Sequence, residues 1–494
     1  MTGPASTGAN LAYLPLVEVA RRLAAGTLSP VDLVEAAIAR AEALNPRLNA
    51  FIAIEADGAR AAARESAARL RAGRPRGPLE GVPLAVKDVF WRAGRPMTAG
   101  ARRPVVEVAS EDATAVARLE AAGAVLLGPL GLHEFAYGIT SANPHHGPVR
   151  NPWALDHHPG GSSGGSAAAL SAGLVYGALG TDTGGSIRIP AALCGVVGLK
   201  PTYGRVSRHG VHPLAWSLDH VGPMARTVAD AALLLGVIAG PDPRDPTASR
   251  RPVPDYQAAL VPAGPAALKG LRVGVPGGFF FDRAEPEVAR LARGAIERLE
   301  QLGAAVRAVS LPHAEAAVPA GLLVLLAEAA SVHAARLAID AASYGADVRA
   351  RLEQGRLVLA VDYLAAQRTR ALVRREMVDA LREVDCLVTP TTPVPAGPID
   401  EAAAGPGDIH RRAMTHFTRP FNLTGLPALS LPCGFVRAGT PEGAGSDAYL
   451  PSGAGAYLPV GLQLVGRPFD EATLLMLAAP LEAELGLVAR RPAL

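Results

Sequence analysis

Two glycine-rich stretches constrain this chain more than any other feature. They are Pro159-Gly160-Gly161-Ser162-Ser163-Gly164-Gly165-Ser166 and Gly180-Thr181-Asp182-Thr183-Gly184-Gly185-Ser186. Glycine costs a helix about 1 kcal/mol relative to alanine, so such clusters mark backbone that must turn with positive φ or approach something closely. Amide N–H groups freed in such turns bind anions or a developing oxyanion. Between the clusters lies a small-residue apolar stretch, Ala167 to Leu179. The uncharged window from Pro159 to Thr181 is long enough to cross a bilayer, but its Gly and Ser content points to a buried segment.

The chain has 494 residues, 49% of them hydrophobic, which is enough for a large core. Lys and Arg number 48 against 45 Asp and Glu, so the formal net charge is only +3. That near-balance leaves no electrostatic footprint for nucleic acid or an anionic membrane, so neither is expected as a partner. Three well-separated cysteines, Cys194, Cys386 and Cys433, argue against a disulfide framework and for a reducing compartment. No Cys-x-x-Cys or His-Glu-x-x-His occurs, and neither a metal nor a cofactor is expected. Residues 1–10 lack the charged and apolar regions of a signal peptide. The apolar run Ala316 to Ala327 stops at Glu328, too short to span a membrane. These features predict a soluble, cytoplasmic protein; its oligomeric state is left open.

Helical and strand-like segments alternate along the chain, which predicts an α/β fold with a largely parallel or mixed sheet. Val17–Ala25 and Pro30–Leu44 read as amphipathic helices, the second opened by Ser29-Pro30. Ala56–Ala72, Ser110–Gly123, Met224–Ile238, Glu285–Gly303 and Glu471–Leu485 read as further helices, and Val318–Arg382 as mostly helical. Strand candidates are 51–54, 81–89, 124–127, 271–275, 304–309, 386–389, 428–431 and 460–465. Residues Arg437 to Leu458 are rich in Gly, Ala, Pro and Ser and read as a loop insert.

Lys87 stands inside the apolar run Gly81 to Val89. A lysine there is expensive unless it is paired or deprotonated, whereas a lysine at a strand end snorkels to water. Strand alternation points Asp88 away from it. A serine hydroxyl needs a base to become a nucleophile, and a neutral lysine can be that base. Gly161-Ser162-Ser163-Gly164-Gly165 also fits the Gly-x-Ser-x-Gly elbow of α/β-hydrolases, with Ser163 attacking and Asp219-His220 as formal partners. That alternative needs a strand just before the motif, and Trp153 to Pro159 make a poor one. Eight of the twelve histidines fall between His133 and His220, which suggests loops near a pocket more than a metal site. A phosphate-binding reading of the glycine loops lacks the Gly-x-x-x-x-Gly-Lys-Ser/Thr motif.

The three blocks at 81–88, 159–166 and 180–188, in this order, resemble the amidase signature family. Gly195 to Thr202, Asp219 to Pro223, Asn422 to Pro427 and Pro459 to Phe469 extend the resemblance over most of the chain. It implies one amidase domain over 1–494, built on a single large mixed sheet covered by helices on both faces. Within it fall N-terminal helices at 15–75, a signature core at 80–240, a helical substrate-pocket region at 316–382, C-terminal strands and helix at 384–490, and the insert at 437–458. It implies Ser186 as acylated nucleophile, Ser162, held in a cis peptide, as proton relay, and Lys87 as base. The N–H groups of Thr183, Gly184, Gly185 and Ser186 would form the oxyanion hole. Ser163, Asp182 and Arg188 would support the loop, and Ala136, Tyr137, Gly138 and His212 would line the substrate pocket.

Within the family, Gly204-Arg205-Val206-Ser207-Arg208 and the 180–188 block resemble the A subunits of glutamine-dependent tRNA amidotransferases. Three positions depart from that pattern. Ile189 stands where those subunits carry Gln, Thr415 aligns with an aspartate that holds the glutamine α-amino group, and His209 to Pro213 replace an aromatic and apolar stretch. Losing a charge-assisted hydrogen bond of about 1.5–3 kcal/mol would weaken glutamine recognition. The expectation is therefore an independent hydrolase cleaving C–N bonds of neutral small-molecule amides or carbamates (urethanes, anilides), with esters not excluded by the chemistry. The amidotransferase A subunit is the alternative.

Overall fold

The computed structural model describes residues 11–399, 413–437 and 457–494. Its centre is a ten-stranded sheet. In chain order the strands are β1 (Pro83–Lys87), β2 (Val125–Leu130), β3 (Gly177–Asp182), β4 (Val197–Lys200) and β5 (His220–Ala225). They continue as β6 (Arg272–Pro276), β7 (Ala305–Val309), β8 (Cys386–Pro390), β9 (Ala428–Arg437) and β10 (Tyr457–Gly466). Across the sheet they lie in the order β2-β1-β3-β5-β4-β9-β10-β8-β6-β7. Both ends of the sheet are parallel and the middle is antiparallel, so it is mixed, with helices packed against it, as expected.

Local signals account for most helices. Ser29 Oγ accepts the Asp32 N–H at 3.3 Å and Pro30 opens the helix Pro30–Leu48, as its cap motif predicts. Thr227 caps Val228–Ile238 in the same way, so Met224 belongs to β5 and not to that helix. Residues 51–54 do not form a strand. Phe51 makes a single bridge to Leu130, and the chain then turns into the helix Ala56–Arg71. The helix Ala317–Asp340 runs well past the apolar stretch that suggested it and, by length and composition alone, could cross a membrane. It instead packs against Ala346–Gly355, Ala360–Glu383 and Arg419–Leu423. The insert at 437–458 falls mostly outside the described residues, and its ends belong to β9 and β10.

The window 159–181 is a buried helix and strand. All eight residues of the helix Gly164–Ser171 are buried, and Ala167 to Leu170 pack with Val34, Ile38, Phe51 and Ala85. Its glycine start is a packing requirement. A Cβ on Gly165 would lie 2.4 Å from the Gly131 carbonyl oxygen and 2.5 Å from that of Ala50, and backbone cannot yield to it. Gly165→Ala is expected to cost about 1–3 kcal/mol in urea unfolding. Gly236→Ala, in an exposed helix position with nothing within 4 Å of the new methyl, should instead gain about 0.5–1 kcal/mol.

Candidate active site

The parallel register of β1 on β3, with Val86 opposite Leu179, carries Lys87 level with the end of β3, where Thr181 leads into the second glycine loop. Lys87 is fully buried. Its Nζ donates to Ser162 Oγ at 2.7 Å and to Thr181 Oγ1 at 2.8 Å. The side chain does not snorkel to water. Burial pushes its pKa down to about 7, and the more distant carboxylates of Asp182 and Asp219 only partly oppose this. Asp88 turns away, as alternation predicts, and takes the Thr98 N–H at 3.0 Å. Lys200, a second buried lysine, donates to the carbonyls of Leu426 and Pro201.

Ser162 follows a cis peptide bond from Gly161. Its carbonyl accepts from His133 N and from Ser141 Oγ, which fixes the loop behind the hydroxyl. The two glycine loops are tied together where Ser163 N donates to Ser186 O at 3.2 Å. Ser163 Oγ donates to Thr181 O at 3.2 Å and is fully buried. This overturns the elbow alternative. No strand precedes Ser163, Asp219 accepts from Thr183 Oγ1 at 2.6 Å, and His220 Nδ1 faces the Leu218 carbonyl at 2.6 Å.

Beyond β3 the chain wraps around Asp182. Its carboxylate accepts from the N–H groups of Gly185, Ile187 and Arg188, and from the Arg188 side chain at 2.9 and 3.0 Å. Arg188 also donates to Gln463 Oε1, Asn422 Oδ1 and the Thr418 carbonyl. Burial alone would raise the Asp182 pKa, but the Arg188 guanidinium outweighs it and holds the carboxyl well below the usual range. The expected oxyanion hole needs a correction here. Gly185, at φ +134°, turns its N–H back to Asp182 at 2.8 Å and so cannot serve an oxyanion. Only glycine fits that position, since a Cβ would meet Thr418 Oγ1 at 2.3 Å. The amides of Gly184 and Ser186 have no backbone or side-chain acceptor among the described residues. Ser186 itself is 7% exposed, the accessible hydroxyl of the cluster.

The expected pocket residues separate. Ala136 and His212 line a cavity of about 200 Å³ with Thr181, Thr183, Asp219 and Trp216, which meets the site from the Lys87 side. Ser162 and Ser186 are not on its walls. Burial pushes the His212 pKa down to about 4, so this ring is neutral at pH 7. Tyr137 is buried with its hydroxyl unpartnered among the described residues. Gly138 lies under the His133 ring, where a Cβ would sit 2.1 Å from Nε2. The glycine permits this close approach beside the His133–Asp347 contact at 3.0 Å. Some histidines each meet one carboxylate, as His145 does Glu134 and His209 does Glu111, while His146, His212 and His220 face backbone carbonyls, and no group of potential metal ligands forms among the described residues. Sequence reasoning did not single out Thr181, Asn422, Gln463 or Thr418. Each lies inside or beside a quoted block, but only the fold shows which way its side chain points.

Two outcomes follow for stability. Arg188→Met leaves Asp182 buried and unpaired, and should cost about 3–5 kcal/mol in urea unfolding. Lys87 is depressed from 10.5 to about 7, so between those values the unfolded chain binds a proton that the folded chain does not. Lys87 should therefore contribute a fall in stability of about 1.4 kcal/mol per unit as pH drops from 10.5 to 7. Lys87→Met should remove that contribution, read as the difference in pH slope between variant and wild type from urea midpoints at pH 7, 8.5 and 9.5.

The family model Amidase matches residues 32–475. The A subunit of glutamyl-tRNA(Gln) amidotransferase from Myxococcus xanthus (strain DK1622) is 45% identical over 96% of this chain and 98% of its own length. The crystal structure of the corresponding subunit from Thermotoga maritima matches with TM-score 0.76 and 34% identity, covering 96% of this chain and 95% of that one. A structure described as "An unexpected vestigial protein complex reveals the evolutionary origins of an s-triazine catabolic enzyme" matches with TM-score 0.85 and 36% identity, over 97% of this chain and all of that one. These relatives correct the expectation of small-molecule partners without nucleic acid. The names of the first two make them the A subunits of enzymes that act on glutamyl-tRNA(Gln). Near-zero net charge speaks only to this chain's own bulk field, not to a nucleic acid brought by a partner. The chain belongs to the amidase family.

Proposed function

We propose that the chain cleaves amide C–N bonds by acyl transfer to Ser186, as the amide-cleaving component of a glutamine-dependent, amidotransferase-type assembly. The observation that carries the chemistry is the buried contact of Lys87 with Ser162, and the relatives' shared name favours the multi-subunit setting. With one N–H of neutral Lys87 kept on Thr181, rotation of the amine turns its lone pair toward Ser162 Oγ, 2.7 Å away. Ser162 passes its proton to Lys87 and takes the Ser186 proton as Ser186 Oγ attacks the substrate carbonyl. The developing oxyanion is held by the amides of Gly184 and Ser186, with Thr183 N–H beside them. The tetrahedral intermediate collapses, the C–N bond breaks, and the relay returns a proton to the leaving nitrogen. Water then takes the place of the amine, attacks the acyl-enzyme through the same relay, and releases the acid. Asp182 and Arg188 brace the loop, and Ser163 fixes it to β3. Since strands from residue 83 to residue 466 share one sheet, a single amidase domain is part of this reading. So is a reducing, cytoplasmic setting, in keeping with three buried free cysteines.

A second reading, an independent hydrolase of amides or carbamates, is favoured by Thr415 standing in for an aspartate. Its hydroxyl has no partner among the described residues. Ammonia release from glutamine that appears only when companion amidotransferase subunits are added supports the first reading. Fast arylamide turnover by the chain alone supports the second.

Under either, Ser186→Ala should lower turnover by at least about 1,000-fold and abolish fluorophosphonate labelling. Because Lys87 must be neutral, kcat/KM should climb with pH through about 7 and level off above it. A rate independent of pH between 5.5 and 9 would refute the lysine base.

A further inference from the structure

An uncommitted cation borders the oxyanion loop. Arg419 begins the short helix Arg419–Leu423, and its Nε is sealed from solvent with no hydrogen-bond partner among the described residues. Nη1 reaches only the Val318 carbonyl, at 3.4 Å. Among the described residues the titratable groups that bear on it are Tyr137 and His416, and no carboxylate does. The other nearby arginines are spent. Arg188 is paired with Asp182, and Arg351 lies 5.6 Å over the Tyr137 ring while pairing with Asp347 at 3.1 Å.

Two further polar atoms on this side are also unpartnered among the described residues, Tyr137 Oη and Thr415 Oγ1. Their residues are only 4% and 5% exposed. The segment carrying Thr415 and Arg419 is clamped to the site. Arg419 N donates to Thr415 O at 2.9 Å, and Thr418 Oγ1, between them, donates to Gly184 O at 2.7 Å. Among the described residues, a Cβ built at Gly184 would have one neighbour within 4 Å, Arg419 Nε at 3.9 Å. The guanidinium therefore stands directly against the oxyanion loop.

A guanidinium only donates, and the phenol and hydroxyl beside it can donate as well. Buried donors without acceptors in the free protein are matched by a ligand rich in acceptors, and a carboxylate fits a guanidinium in two-point geometry. We propose that Arg419, with Tyr137 and Thr415, binds a carboxylate on the acyl half of the substrate. The amide cleaved is then the monoamide of a short dicarboxylic acid, a class that includes the side-chain amide of glutamine. The acyl chain is short because Arg419 is a near neighbour of Gly184. This rests on the reading that Ser186 cleaves amides.

The test compares glutaric acid monoamide with pentanamide, which has the same chain and lacks the carboxylate, using the full chain together with companion amidotransferase subunits and reading ammonia release. Wild type should favour the acidic amide at least tenfold in kcat/KM. Arg419→Met should collapse that ratio to near one through KM, and Arg419→Lys should restore part of it. Glutarate should slow fluorophosphonate labelling of wild-type Ser186 and pentanoate should not, a comparison that needs no variant. Equal turnover of the two amides, a preference that survives Arg419→Met, or labelling indifferent to glutarate would each overturn the proposal. Intact labelling without turnover of glutaric acid monoamide would overturn it while leaving the nucleophile standing. Absence of labelling would overturn the Ser186 reading itself.

Discussion

The buried pair of Asp182 and Arg188 is the contact on which the site is hung. Both side chains are fully buried, and every strong donor or acceptor they carry is used. Desolvating two charges is costly unless geometry and extra hydrogen bonds compensate, and here they do. The pair joins the end of β3, the loop to Ser186 and the helix Arg188–Cys194 to β10 through Gln463 and to the 418–422 segment through Asn422. Elements more than 200 residues apart in sequence thus meet at one carboxylate. Gly185 gives its amide to that carboxylate, which sets the direction of the neighbouring amides at Gly184 and Ser186.

Around this anchor the electrostatics are divided by depth. Asp182 is kept charged by an adjacent guanidinium, whereas Lys87, within reach of the same carboxylate but not paired to it, is dominated by desolvation. Two ionisable groups a few residues of sheet apart therefore have opposite fates. One becomes a permanent structural charge, and the other, the proposed base, gives up its proton around pH 7. Arg419 is a third case, a half-buried cation whose sealed Nε has no partner among the described residues, and its neighbours Tyr137 and Thr415 can donate as well. The same loop is thus bordered by a satisfied cation that builds it and by one whose Nε is unsatisfied among the described residues and stands against Gly184.

Much of this was legible from residue order. The glycines around Ser162 and Ser186 announced close backbone approach, and Gly165 against two carbonyls and Gly185 against Thr418 are that approach realised. Lys87 in an apolar strand announced a buried amine. Residues 51–54 misled because an apolar quartet has strand propensity without saying whether a neighbouring edge will accept it, and only Phe51 pairs. The expected four-amide oxyanion hole overcounted because a motif names residues, while the direction of each N–H depends on φ, and Gly185 takes a value that turns it inward.

By itself the sequence marked the residues on which the proposed chemistry rests, namely the glycine-cradled serines and the lysine in an apolar run, together with a mixed α/β fold and well-separated cysteines. Those marks are properties of residue type and near spacing, where backbone freedom and strand alternation act over a few residues, and the roles of the serines came from the family resemblance. Only the tertiary structure decided which side chains from distant segments close around that chemistry. Thr181 on Lys87, Gln463 and Asn422 on Arg188, and Arg419 beside Gly184 each depend on strand order and register. Charge composition could not foresee the relatives' tRNA-linked assemblies either, since a sum over one chain carries no information on where charges face or what a second chain contributes.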